Sequence, residues 1–191
     1  MEKLIEMILL RMKSEGLVNE DDIDIYQFGL ECLFLKIIHY LSYLFISYIL
    51  RMMIPMLVSA IVFMPLRSKS GGYHAKTRHG CYLFSCAVVS LICILNKVMY
   101  SVWTFALVIF VSNIVVCAFA PVEHNNRTLE LSERKKLREQ ELLLLGLADM
   151  LIIVTAVIGV NASRWLLNGM LAAVVLILLG CRESIVVVIL N

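Results

Sequence analysis

Six windows of almost unbroken apolar sequence, at about 30–50, 52–66, 82–96, 101–120, 142–160 and 165–181, set the terms on which this chain can fold. A membrane-spanning helix needs about 20 mostly apolar residues. The second and third windows are short, so one of them is expected to tilt, re-enter or continue into the polar segment beside it. Gly and Pro number only 9 and 3 in 191 residues, so helices rather than a barrel must satisfy the backbone in lipid. Hydrophobic residues make up 61% of the chain, against about 45–50% in soluble domains. The expected fold class is all-α: a polytopic transmembrane helical bundle of about six segments, some short or re-entrant, preceded by an amphipathic interfacial helix.

That first helix is read from Met1, Leu4, Ile5, Ile8 and Met12, which recur at helical spacing while Glu2, Lys3, Glu6 and Lys13 take other faces. Charges of both signs and the lack of a small-residue cleavage site argue against a signal peptide. Gly16 is expected to end the helix. The acidic run Glu20, Asp21, Asp22 and Asp24 reads as a solvated linker, because its spacing is not that of a calcium loop. The whole chain, 1–191, is taken as one domain, with 1–28 the amphipathic segment, 67–81 a polar reactive segment and 121–141 a basic loop.

Lys and Arg gather in cytoplasmic loops of membrane proteins. With six spans, Lys3, Arg11, Lys13, Arg67, Lys69, Lys76, Arg78, Arg127, Arg134, Lys135, Lys136, Arg138 and Arg182 fall on one side. Arg51, Lys97 and Arg164 fall on the other. Both termini and both long loops are therefore expected in the cytoplasm. The net charge of +2 comes from basic residues lying between apolar runs, which argues against a nucleic-acid surface. Cys32, Cys81, Cys86, Cys93, Cys117 and Cys181 are scattered without paired spacing and read as free thiols. Lys36, His39 and Asp149 fall inside apolar windows, where a charge must pair or face a polar cavity. Pairing of Asp149 with Lys36 is the plainer reading, and a transporter is the functional alternative.

One stretch, from Arg67 to Cys81, combines a basic cluster, a glycine pair, two histidines and a thiol. A thiolate attacks carbonyls well, and imidazole can take the thiol proton near neutral pH. Cys81 opens the third apolar run, where the positive helix end together with Lys76, Arg78 and His74 favours thiolate. An unbroken helix would hold His74 and Cys81 roughly 10 Å apart along its axis, and proton transfer needs about 3 Å. The segment must therefore bend, and Gly80 with Lys76, Thr77 and Arg78 is the expected place. His79 is an alternative base. Gly71 and Gly72 permit a tight turn whose amides bind an oxyanion if both point inward, and otherwise form a plain turn. A zinc site on His74, His79, Cys81 and Cys86 lacks a familiar paired motif, and no metal or other cofactor is expected.

Arg67, Gly72, His74-Ala75 and Cys81 with the His-x6-Cys interval, followed by Ala120-Pro121-Val122-Glu123-His124 after the fourth span, resemble the accessory gene regulator B (AgrB) family. These are membrane cysteine endopeptidases of Gram-positive quorum-sensing systems, and the order of apolar segments agrees along most of the chain. The resemblance implies that Cys81 is the nucleophile and His74 its base, acting on a small amphipathic propeptide. A thioester on Cys81 would then be captured by an internal cysteine or serine, giving a thiolactone or lactone. Arg67, Gly71 and Gly72 are candidate oxyanion or substrate contacts, and Arg134, Lys135, Lys136 and Arg138 are candidate binders of the acidic tail, with lipid headgroups the alternative partner of that loop. Asp149 or Glu31 could orient His74 only if folding places one beside it. Expected partners are the propeptide, membrane lipids and a second copy of the chain in a homodimer. The expected location is the cell membrane of a Gram-positive bacterium, as a multi-pass protein with the catalytic segment on the cytoplasmic side.

Overall fold

Apolar windows become helices in this computed structural model, which describes residues 2–19, 22–73, 77–122 and 130–190. The elements are α1 (Glu2–Ser14), α2 (Ile23–Ile49), α3 (Met53–Ser70), α4 (Arg78–Leu95), α5 (Val102–Phe119), α6 (Leu131–Val157) and α7 (Ala162–Leu190). The chain forms two compact units, Met1–Phe45 and Ile46–Asn191.

In the first unit, α1 buries Ile5 and exposes Leu4, Met7 and Leu10, the pattern of a helix with a second apolar surface to cover. Gly16 ends the helical run at φ 69°, and Leu17 N donates to Met12 O at 3.0 Å. α2 begins well before the apolar window, at Ile23, with Asp24 in its first turn. A carboxylate there complements the helix dipole, so the end of the acidic run belongs to the helix start. Glu20 and Asp21 lie outside the described residues.

In the second unit, α3 and α7 form the central pair and make the most extensive interhelical packing. They run parallel. Ser59 on α3 donates to Trp165 O at 2.7 Å near the start of α7, and Gly72, just beyond α3, lies against Leu176 O further along α7. The core they share includes Val62, Leu66, Leu166, Leu167, Met170 and Ile177, with Val116 from α5 and Ile152 from α6. Small residues let the backbones approach: a Cβ on Gly169 would sit 2.1 Å from Ser59 O.

Among the described residues, five helices are long and apolar enough to cross a membrane: Ile23–Ile49, Arg78–Leu95, Val102–Phe119, Ser132–Val157 and Ala162–Arg182. The sixth, α3, carries Arg67, Lys69 and Pro65 in its 18 residues. Its outer stripe, Ile54, Leu57, Ile61 and Met64, is exposed and wholly apolar, while the inner stripe includes buried Ser59 and Ser70. An apolar exposed face opposite a packed face that admits two serines suits a helix with one side to lipid and the other to protein.

Candidate active site

α3 stops at Ser70 because Gly71 and Gly72 take φ values of 69° and 104°, which side chains disfavour. Space also requires glycine here. A Cβ on Gly71 would stand 2.4 Å from Val122 O, and one on Gly72 2.7 Å from Leu176 O. Gly71 pairs with Val122 in a parallel bridge, and Val122 N donates to Ser70 O at 2.8 Å. The chain leaving α3 is thereby fastened to the segment that follows α5.

Tyr73 comes next and is held on both sides of its peptide. Its N–H donates to Leu176 O at 3.0 Å, and its carbonyl accepts from Arg67 Nη2 at 2.6 Å. The ring packs on Phe84 of α4 with centroids 4.8 Å apart. Phe84 lies three residues after Cys81, so Tyr73 bears on the face of α4 that carries the thiol. Sequence reasoning passed over Tyr73; an aromatic flanked by a glycine pair and a histidine was the available signal.

Cys81 occupies the first turn of α4, which starts where Thr77 turns extended (φ −117°, ψ 150°) and accepts from Gly80 N at 3.0 Å through its hydroxyl. The break therefore precedes Arg78, and Gly80 lies inside the helix rather than at the bend. Cys81 is half-buried while Arg78 and His79 are exposed. Half-buried Arg67, near the end of α3, is close enough to Cys81 to interact with it electrostatically. His74 and Lys76 lie outside the described residues, as do Glu123 and His124.

At the same end of the bundle, Ala118, Phe119, Ala120, Pro121, Arg134, Lys135 and Arg138 line a recess of about 320 Å³. Arg138 is committed to the last carbonyls of α5, donating to Val116 O at 3.0 Å and to Ala120 O and Cys117 O. A cation at a helix carboxyl end offsets the dipole and satisfies orphan acceptors. Arg134, Lys135 and Lys136 are exposed.

The other sequence candidates sit elsewhere. Asp149 accepts from Asn113 of α5 at 3.2 Å, a contact between neighbouring helices. His39 Nδ1 meets Tyr43 OH one turn away at 3.1 Å, and Lys36 is exposed. Glu31 lies on α2 in the first unit, within 3.5 Å of Gln27 Nε2. At the end of the second unit away from Cys81, Asn96 donates to Ser59 Oγ at 3.0 Å and Asn168 to Asn96 Oδ1 at 2.9 Å. Tyr100 OH donates to Asn168 Oδ1 at 2.7 Å, which completes a buried network that ties α3 and α7 to the loop between α4 and α5.

A bundle of apolar helices with a thiol on a helix amino end, a half-buried arginine at the same end and a basic rim defines a multi-pass membrane protein with one polar, thiol-bearing end. The accessory gene regulator B family matches residues 5–188, and the chain belongs to that family. It is similar to AgrB-like protein 2 of Clostridium perfringens (strain 13 / Type A), at 24% identity over 174 residues, 86% of this chain and 80% of that one. It is also similar to an AgrB-like protein of Clostridium perfringens (strain SM101 / Type A), at 23% identity over 186 residues, 92% and 86% of the two chains. No solved structure matches. Family membership carries a role in autoinducer processing, with a peptidase-like part in it.

Proposed function

We propose that this protein is a membrane cysteine endopeptidase that cleaves a small amphipathic propeptide near its carboxyl terminus and promotes its cyclisation. The observation that supports it best is the fastening of Tyr73, the residue before His74, to both α7 and the Cys81 face of α4. A nucleophile and base must be held within hydrogen-bond reach, and a residue tied to a helix backbone on each side is a firm platform for that.

Cys81 Sγ attacks the scissile carbonyl, its proton passing to His74, and the oxyanion forms beside the Arg67 charge. Gly71 and Gly72 serve as the turn that makes this approach possible. Collapse breaks the C–N bond; the departing amine takes the proton from His74 and leaves as the tail, with the peptide acylated on Cys81. A cysteine or serine within the peptide then gives its proton to His74 and attacks the thioester, which closes the ring and restores the Cys81 thiol. Exchange between sulfurs retains acyl-transfer potential that hydrolysis would discard, so water must be kept out. Arg134, Lys135 and Lys136 face the acidic tail on the cytoplasmic side.

The test is co-expression with the small peptide encoded beside this gene, followed by mass analysis. Wild type should yield the freed tail and the cyclic product, and Cys81→Ala or His74→Ala should yield neither while inserting at wild-type levels. Normal processing by either variant would defeat the assignment.

A further inference from the structure

Glu141 is fully buried, with 0% of its surface exposed, in a stretch of α6 whose other charges are mostly at the surface. Both carboxylate oxygens are enclosed, and among the described residues no donor reaches them. Arg138, one turn earlier, is the charged group that acts on it, but its guanidinium is spent on the carbonyls of Val116, Cys117 and Ala120. A carboxylate buried without such a partner is strongly disfavoured against the neutral acid.

From α3, the Ser70 side-chain hydroxyl, also fully buried, lies near the same carboxyl without a hydrogen bond formed between them. Its single proton is already given to Leu66 O at 2.6 Å, so Ser70 can offer Glu141 only lone pairs. Two acceptors repel, and a hydrogen bond between them requires the proton to sit on the acid. Ser70 is also the residue whose carbonyl binds Val122 and whose successor begins the glycine turn.

We propose that Glu141 is a positioning residue: as a neutral carboxylic acid it donates to Ser70 Oγ and fixes the end of α3, and with it the turn leading to the reactive segment, against α6. The acid works through Ser70 and touches no substrate. In catalytic terms the inference rests on the peptidase reading; in structural terms it stands alone.

Two measurements on full-length protein in nanodiscs test it. Infrared spectra of wild type, against Glu141→Gln, should show the carbonyl stretch of a protonated carboxyl that moves with ¹³C-glutamate labelling; no such band overturns the proposal, whether or not the protein cleaves peptide. In propeptide cleavage, Glu141→Gln keeps a neutral donor and should stay within about threefold of wild-type kcat/KM near neutrality, whereas Glu141→Ala should lose about tenfold or more, chiefly in kcat. As pH rises, wild type loses the proton and Glu141→Gln does not, so the ratio of their kcat values should shift toward the variant. A glutamine variant as impaired as alanine would mean an ionised carboxylate is needed, and a fully active alanine variant would mean no positioning role; either result overturns the inference. If the alanine variant does not accumulate, the infrared band and the Glu141→Gln profile still decide.

Discussion

Replacing Gly180 with alanine should silence this protein while leaving it folded. An alanine Cβ there would lie 2.6 Å from Gly72 Cα, 2.7 Å from Gly72 C and 2.8 Å from Tyr73 N. Carbon atoms in contact rest about 3.5–4.0 Å apart, so the 72–73 backbone must retreat from α7 by about 1 Å. Retreat strains the Tyr73 N–H to Leu176 O bond, worth about 1 kcal/mol, and overpacking costs about 1–3 kcal/mol. Alanine returns up to about 1 kcal/mol of helix propensity. The net loss of about 1–3 kcal/mol is less than the 5–15 kcal/mol that typically holds a domain folded. Catalysis is less forgiving, because a misplacement of about 1 Å can cost about 10²-fold. Gly146→Ala on α6 is the control, since its Cβ would meet nothing within 4 Å. Both variants should accumulate in the membrane, and mass analysis of propeptide products should show processing reduced about 10²-fold in Gly180→Ala alone. Turnover by Gly180→Ala within about twofold of wild type would refute the claim that α7 holds the reactive segment in place.

Neutralising Arg134, Lys135 and Lys136 together should raise KM with little change in kcat, and the gap from wild type should narrow as salt rises, because screening acts over about 8 Å at physiological strength; a fall in kcat alone would place these residues in chemistry or folding. Asn168→Leu should cost about 1–3 kcal/mol by leaving Asn96 and Tyr100 without their partner, seen as a lower Tm with processing retained at permissive temperature. For orientation, a cysteine at exposed Ser68 is the suitable probe, since Ser70 is buried. A reagent that cannot cross the membrane should leave Ser68→Cys unmodified in intact cells, and labelling would reverse the assigned sidedness.

How much of this was visible in the chain depends on whether a residue announces itself by type. Apolar windows located α2 through α7 because lipid demands long apolar helices whatever they touch. The Arg67–Cys81 stretch stood out because polar and reactive residues are rare in such a chain. Placement within the bundle was hidden: α3 reads as a weak span, and only packing reveals it as the partner of α7. Glu141 looked like one more solvated charge in a charged run, since burial of a carboxyl leaves no mark on composition. Arg138 was grouped with its basic neighbours, although its guanidinium serves the end of α5. Gly180 was overlooked for the same reason in reverse, because its contribution is an absent side chain in an apolar stretch.

The thiol-bearing end is assembled largely by main chain meeting main chain: Val122 N on Ser70 O, Tyr73 N on Leu176 O, and Gly180 against Gly72. At these junctions the chain must supply vacancy more than any particular group. Exposed side chains along α4, α5 and α6 can then vary without disturbing these junctions. Such an architecture ties the shape of this end to backbone spacing more than to side-chain identity, and it gives a physical footing for family relatives at 23–24% identity across most of this chain.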